Sequence, residues 1–282
     1  MIEMQKLSFS YPNKELLFDD VNEVMPEGHI YGVLGKNGAG KTSLLKLLAG
    51  LRFPDKGFVS IDGFEPRYRQ SEYLQKVFLI PEEFYLPEYT AEKYENIYAP
   101  FYPAFQHDKF NEYLDQFGIS ESSNLDSLSL GQKKKFILAF AFATNCPYLF
   151  LDEPTNGLDI PSKKQFRKFV AHWIDENRTI FISTHQIHDV SKLLDRIVIL
   201  DEGKILLNES LEKLEECLII KLHQNDKTSP NAIYSQVALG GKVSLEKNET
   251  NQSSDIDLEL LFNATLHNSE AIVNATKKEG IK

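Results

Sequence analysis

Gly35-Lys36-Asn37-Gly38-Ala39-Gly40-Lys41-Thr42 is the stretch that decides the fold. An apolar run, Ile30 to Leu34, precedes it and a helix-like run, Ser43 to Ala49, follows. That is the strand, loop and helix order a phosphate-binding loop requires. Glycines let the backbone turn tightly enough for successive N–H groups to face a phosphate, while Lys41 supplies positive charge and Thr42 a hydroxyl ligand for Mg²⁺. The expected ligand is a nucleoside triphosphate, held by Gly35, Asn37, Gly38, Gly40, Lys41, Thr42 and Ser43.

Composition narrows the setting. At 282 residues and 42% hydrophobic, the chain can bury one substantial core and is a little long for one domain. A net charge of −10 argues against a nucleic-acid backbone as the main partner, since phosphate contacts need Lys and Arg. Cys146 and Cys217 are too few and too far apart for a disulfide framework or a metal knuckle, which fits a reducing compartment. Met1 to Tyr11 lacks the basic segment and long apolar run of a secretory leader, so Asn248-Glu249-Thr250 and Asn263-Ala264-Thr265 read as chance glycosylation triplets. No apolar run reaches the roughly 18 residues that span a bilayer.

Along the chain, Met4 to Ser10, Ile30 to Leu34 and Val59 to Asp62 read as strands, the last closed by Asp62-Gly63. From Pro81 to Phe117 aromatic residues crowd among prolines, which suggests a mainly helical insertion whose rings serve either a core or a partner-binding groove. Alternation resumes with strands at Tyr148 to Leu151, Ile180 to Ser183 and Ile197 to Leu200, pointing to an α/β sheet covered by helices.

Two further sites carry chemistry. Tyr148-Leu149-Phe150-Leu151-Asp152-Glu153 is an apolar strand ending in two carboxylates, and the carboxyl ends of such strands line the site of an α/β sheet. Neighbouring strand residues point opposite ways, so Asp152 is assigned to the Mg²⁺ shell and Glu153 to polarising the attacking water. Leu128-Ser129-Leu130-Gly131-Gln132 opens a helical pattern over Lys133 to Asn145, which makes a second anion site of helix-terminal N–H groups. Lys133, Lys134 and Lys135 read as a solvated basic face.

With these motifs in order, the chain resembles the ATP-binding subunit of an ABC transporter, most like the ABC-2 export type. Gly35 to Thr42 matches the Walker A motif, Leu128 to Gln132 the signature motif and Leu149 to Glu153 the Walker B motif. Asn156-Gly157-Leu158-Asp159 matches the D-loop and His185 the switch histidine. Tyr11 falls where the family stacks an aromatic on adenine, and Glu82 where it places the Q-loop glutamine. The resemblance covers Met1 to about Glu216 and implies a P-loop NTPase of the ABC type: a mainly parallel α/β core, an antiparallel β subdomain and a helical insertion over about 83–145. A small extension, 217–282, follows.

The resemblance further implies catalytic roles for Glu153 and His185. It assigns nucleotide contacts to Tyr11, Ser129, Gly131 and Gln132, and Mg²⁺ contacts to Thr42, Asp152 and Glu82. It implies ATP as ligand, a head-to-tail pair with a second copy or a paralogous ATPase, and a separate integral-membrane permease that holds the subunit at the cytoplasmic face of the membrane. A soluble ABC ATPase remodelling a ribosome or nucleic-acid complex is the competing class. Two residues depart from the family pattern: Leu130 adds bulk where glycine is usual, and Glu82 brings an acid where glutamine is usual. His185 and His188 have a spacing that hints at a metal pair, but a third ligand is lacking.

In the extension, Leu218 to Leu222 and Ala232 to Leu245 suggest strands and a hairpin about Gly240-Gly241. Asn248 to Asp255 reads as a polar loop, and Leu258, Leu261, Phe262 and Leu266 recur at helical spacing. Its role reads equally as a regulatory cap or a passive tail.

Overall fold

The computed structural model describes residues 1–223, 229–249 and 254–277. Strand β1 (Ile2–Ser10) pairs antiparallel with β2 (Leu16–Met25); buried and less buried positions alternate over Ile2 to Gln5, and register shifts break the alternation beyond it. Strand β3 (Ile30–Gly35) is buried at every position, as a central strand covered on both faces must be. The loop after it opens helix α1 (Lys41–Leu48), and β4 (Lys56–Ile61) then returns to pair with β1. The resulting antiparallel sheet has the order β2-β1-β4. Asp62 and Gly63 both take positive φ, 50° and 79°, and Ile61 bridges Phe64 across them. This two-residue turn is why an Asp-Gly pair ends the strand.

Helix α2 (Ser71–Leu74) and strand β5 (Val77–Ile80) lead into the insertion, built from α3 (Ala91–Tyr98), α4 (His107–Phe117) and α5 (Leu130–Ala143). Thr90 caps α3 through a bond from the Lys93 N–H. The aromatic crowd ranges from buried through half-buried to exposed. Tyr94, Phe110 and Phe117 are buried, and Tyr94 meets Phe136 and Phe140 of α5 edge to face at centroid distances of 5.1 and 5.0 Å. Tyr85 and Phe101 stay 81% and 65% exposed.

Strand β6 (Tyr148–Asp152), helix α6 (Ile160–Trp173), strand β7 (Thr179–Thr184) and helix α7 (Ile187–Val190) restore the α/β alternation. Strands β8 (Arg196–Asp201) and β9 (Lys204–Ser210) and helix α8 (Leu211–Cys217) complete this part. The central sheet has the order β5-β6-β7-β3-β8-β9, parallel except for the edge strand β9. Because β3, β7 and β6 are adjacent and parallel, the loops at their carboxyl ends converge.

The extension forms β10 (Leu218–His223), β11 (Ala232–Ala238) and β12 (Gly241–Lys247), ordered β10-β12-β11, followed by α9 (Leu258–Thr276). The hairpin turn falls at Leu239 and Gly240, one residue before the expected Gly240-Gly241, because Gly241 already pairs with Ala238 as the first residue of β12. Of the polar segment 248–255, residues 250–253 lie outside the described residues. Leu258, Leu261 and Ile272 of α9 join the same hydrophobic cluster as Leu214, Leu218 and the central sheet, so the extension packs onto the core. Among the described residues no helix is long and apolar enough to cross a membrane.

Candidate functional site

The loop between β3 and α1 is built for a close backbone approach. Gly40 sits at φ 109° as the residue before α1, a conformation an L side chain strains to adopt. At Gly35 a Cβ would come within 2.6 Å of the Leu200 carbonyl oxygen. The buried Lys41 ammonium donates to the carbonyls of Gly35 (2.8 Å) and Lys36 (3.2 Å), so it lies in the hollow of the loop beside the free N–H groups of the α1 terminus. Burial lowers its pKa, and the carboxylates of Glu153, Asp152 and Glu82 oppose that shift.

Asp152 ends β6 beside β7 and faces α1. Its Oδ2 accepts from the Thr42 hydroxyl at 2.7 Å, and its Oδ1 accepts a short bond from the Ser183 hydroxyl. Glu153, one residue on, turns away at φ 46°. Its Oε1 accepts from the His185 N–H (3.0 Å) and lies 2.7 Å from His185 Nδ1, while Oε2 is buried without a hydrogen-bond partner in the protein. The two acids thus have separate side-chain neighbourhoods, and what turns Glu153 aside is its positive φ beyond the end of β6 and not strand alternation.

The donors available to a metal are hard oxygens: the Thr42 hydroxyl and Asp152 carboxylate together, with Glu82 across the cleft. No group of three or more His, Cys, Asp or Glu side chains is placed to cage a metal among the described residues. A sparse oxygen set fits Mg²⁺, which keeps waters and shares phosphate oxygens, better than Zn²⁺. His185 and His188 do not pair as ligands; His188 Nε2 instead lies 3.2 Å from Glu259 of α9.

A cleft of about 1200 Å³ joins these groups: Tyr11, Asn37, Gly38, Gly40, Lys41, Thr42, Ser43, Glu82, Asp152, Glu153 and His185 all line it. Tyr11 stands at one side, its hydroxyl 3.0 Å from Ser43 Oγ, with the Arg52 guanidinium 5.8 Å from its ring centre. Glu82 accepts from the Asn156 amide at 3.2 Å. Sequence reading missed the turn between β1 and β2 and the start of β2, where Asn13, Leu16 and Leu17 close the cleft, and it missed Ser183. A polar residue inside a buried strand was the available signal for Ser183.

Ser129, Gly131 and Gln132 do not reach this cleft. Ser129 and Gln132 cap α5 reciprocally, Ser129 Oγ taking the Gln132 N–H (3.3 Å) and Gln132 Oε1 the Ser129 N–H (3.0 Å). Leu130 stands 70% exposed beside them. A Cβ at Gly131 would lie 3.1 Å from the Gly157 carbonyl, so the start of α5 runs against the loop after β6. The basic run is not a uniformly solvated face. Lys134 is 3% exposed, and its ammonium donates to the Glu153 carbonyl at 2.9 Å. Its direction off α5, toward the sheet, overrides the preference of lysine for water.

The family model described as ABC transporter matches residues 18–156. The peptide export ATP-binding protein SkfE of Bacillus subtilis is 33% identical over 222 residues, covering 77% of this chain and 92% of that protein. The chain belongs to the ABC transporter family. It is an ATP-binding cassette subunit and an ATPase. The cassette is also 32% identical over 235 residues to the lantibiotic transport ATP-binding protein SrtF of Streptococcus pyogenes, covering 77% and 95% of the two chains. A solved ATP-binding subunit of an ABC transporter superposes on it with a TM-score of 0.68 at 26% identity, covering 76% of the cassette and 92% of that chain. The P-loop core, antiparallel sheet and helical insertion of the cassette follow that fold.

Proposed function

We propose that this cassette binds Mg²⁺-ATP in the cleft, closes on a second cassette and uses hydrolysis to drive export through a separate membrane permease. One observation carries the reading: the triphosphate elements line one cleft, while the cap formed by Ser129, Leu130 and Gln132 stands outside it and exposed. A helix terminus that presents further N–H groups beside those its cap engages is an anion site without an anion of its own. A second cassette turned head to tail brings that terminus over the nucleotide held by the first. The partner is a second copy or a paralogous ATPase subunit.

Within the closed site, Lys41 and the loop N–H groups take the phosphates. Thr42 and Asp152 would hold Mg²⁺, with Glu82 near it, and Tyr11 meets the base. When bound, Mg²⁺ would neutralise charge on the phosphate oxygens. Glu153 accepts the proton of the attacking water through Oε2, and His185 holds Oε1 so that the second oxygen is aimed. Hydrolysis removes the contacts to the γ-phosphate and the pair reopens.

The permease has a fitting seat. An apolar groove of about 420 Å³ runs between the core and the insertion, lined by Leu51, Leu74, Phe78, Leu79, Phe101 and Tyr102. Its strand, β5, leads directly to Glu82 in the cleft. A cytoplasmic permease helix seated there would feel the cleft close, and would hold the cassette at the inner membrane face. The relatives SkfE and SrtF are named for peptide export and lantibiotic transport, which favours an exported cargo. The test combines gel filtration with purification from detergent-solubilised membranes. Glu153→Gln with Mg²⁺-ATP should elute as a dimer, Lys41→Ala as a monomer, and the tagged wild type should bring down an integral-membrane protein that stimulates its turnover. A monomer in both cases, or a cassette recovered only with ribosomes or nucleic acid, refutes the reading.

A further inference from the structure

Lys134 lies between the two parts of the divided site. It is 3% exposed, on the second turn of α5, five residues after the Ser129 cap. At about 1.5 Å per residue the two positions are some 7.5 Å apart along one rigid helix. At its far end the ammonium donates to the Glu153 carbonyl at 2.9 Å.

Glu153 needs holding. A non-glycine residue at φ 46° persists only where its surroundings over-determine it. Its N–H donates to the Ser183 carbonyl (3.1 Å) and lies 3.2 Å from the Ser183 hydroxyl, its carbonyl accepts from Lys134 (2.9 Å) and from the Asn156 N–H (3.2 Å), and its Oε1 takes His185. Each side of the residue is gripped, leaving Oε2 as the carboxylate oxygen with no partner in the protein. Of these grips, Lys134 alone comes from the helix that carries the exposed cap.

The Glu153 carbonyl already accepts from the Asn156 N–H, so a buried ammonium is an expensive addition there, where an apolar side chain of the same length usually packs at lower cost. Burial lowers the pKa of Lys134, while the nearby carboxylates of Glu82, Glu153 and Asp152 oppose the shift. The charge therefore serves the acidic site it sits beneath.

Building on the head-to-tail reading above, we propose that Lys134 is a positioning residue for hydrolysis. Through it, seating of the α5 cap on a second cassette's nucleotide is transmitted to the Glu153 of the same chain, so that each half-site readies the other.

The test compares Lys134→Met, Lys134→Arg and Glu153→Gln in full-length protein. Lys134→Met should lower kcat at least tenfold, leave the KM for ATP within twofold, and leave thermal stability equal or higher; Lys134→Arg should recover most of the turnover. A purely structural lysine would instead lower the melting temperature and ATP affinity along with kcat. Should Lys134→Met fail to fold, Lys134→Leu, which likewise removes the donor, replaces it against the same criteria. Mixed dimers sharpen the result when one chain carries Glu153→Gln, so that both chains bind ATP and only the other hydrolyses it. The loss should follow Lys134→Met on the hydrolysing chain, whose Glu153 that lysine holds, and equal or greater loss from the other chain overturns the proposal. Wild-type kcat in Lys134→Met beside an inactive Glu153→Gln overturns this inference and leaves the cassette reading intact. An active Glu153→Gln overturns the reading beneath it.

Discussion

Glu153→Gln gives the sharpest test of the site, because the change is isosteric and its consequences divide cleanly. The amide oxygen can still accept from the His185 N–H, now 3.0 Å from Oε1. The amide nitrogen replaces Oε2, which is buried and unpartnered already, so one unsatisfied polar atom replaces another. Stability should change by less than about 1 kcal/mol, or a few degrees in melting temperature. Turnover has no such compensation. An amide cannot accept the proton of the attacking water, and a positioned general base is worth about 10² to 10⁴ in rate. That factor is about 3 to 5 kcal/mol of barrier. Removing one negative charge beside the triphosphate leaves ATP affinity equal or tighter. The assay is phosphate release against protein concentration, run beside nucleotide binding by calorimetry. A kcat within fivefold of wild type, with binding intact, would falsify the assignment of Glu153 as base.

Two further outcomes follow from named contacts. Lys41→Ala removes the ammonium from the hollow of the loop; with charge-assisted bonds worth about 1.5 to 3 kcal/mol each, ATP affinity should fall at least tenfold in titration calorimetry, and an unchanged affinity would count against the phosphate loop. Glu246 of β12 tests the extension. Burial alone would raise its pKa, but bonds from Lys221 (2.9 Å), Ser244 (2.7 Å) and Ser229 bring it down to about 2 from an ordinary 4.5. A depressed carboxyl stabilises the fold fully above its unfolded pKa and loses that contribution as pH falls from 4.5 toward 2. Glu246→Gln should therefore cost about 1 to 2 kcal/mol at pH 7, after discounting for the solvent-exposed Lys221, and progressively less below about pH 4. Urea unfolding of both proteins at several pH values reads this, and a pH-independent difference would show that the ion pair is idle.

What the sequence made legible was whatever a short segment dictates to itself. The loop from Gly35 to Thr42 needs only its own glycines and its flanking strand and helix, and the turn at Asp62-Gly63 needs only two residues that accept positive φ. Pairing and burial were harder. Strand β2 escaped notice because Asp19, Asp20 and Glu23 interrupt its alternation, and Asp20 sits at φ 49° beside a register shift in its pairing with β1. Strand β5 has only four residues, too few for a period to register. The extension shows strand and hairpin patterns locally, yet its packing of Leu258, Leu261 and Ile272 onto the main core is a tertiary fact.

The two oddities of the site explain each other better than either does alone. Glu82 adds a third carboxylate where Asp152 and Glu153 already stand, and on a site for a polyanion that is a cost. Lys134 puts a cation in the interior with only a carbonyl for a direct partner, and that is a cost as well. All three carboxylates lie close enough to favour the charged form of Lys134, Glu82 most strongly among them. Together with Lys41, which feels the same three acids, the site sets two ammonium groups against three carboxylates. The acid at Glu82 is thus offset by a lysine on α5, and the same lysine donates to the carbonyl of Glu153. Read residue by residue, Glu82 is a departure and Lys134 part of a basic run; the fold makes them opposite charges of one site.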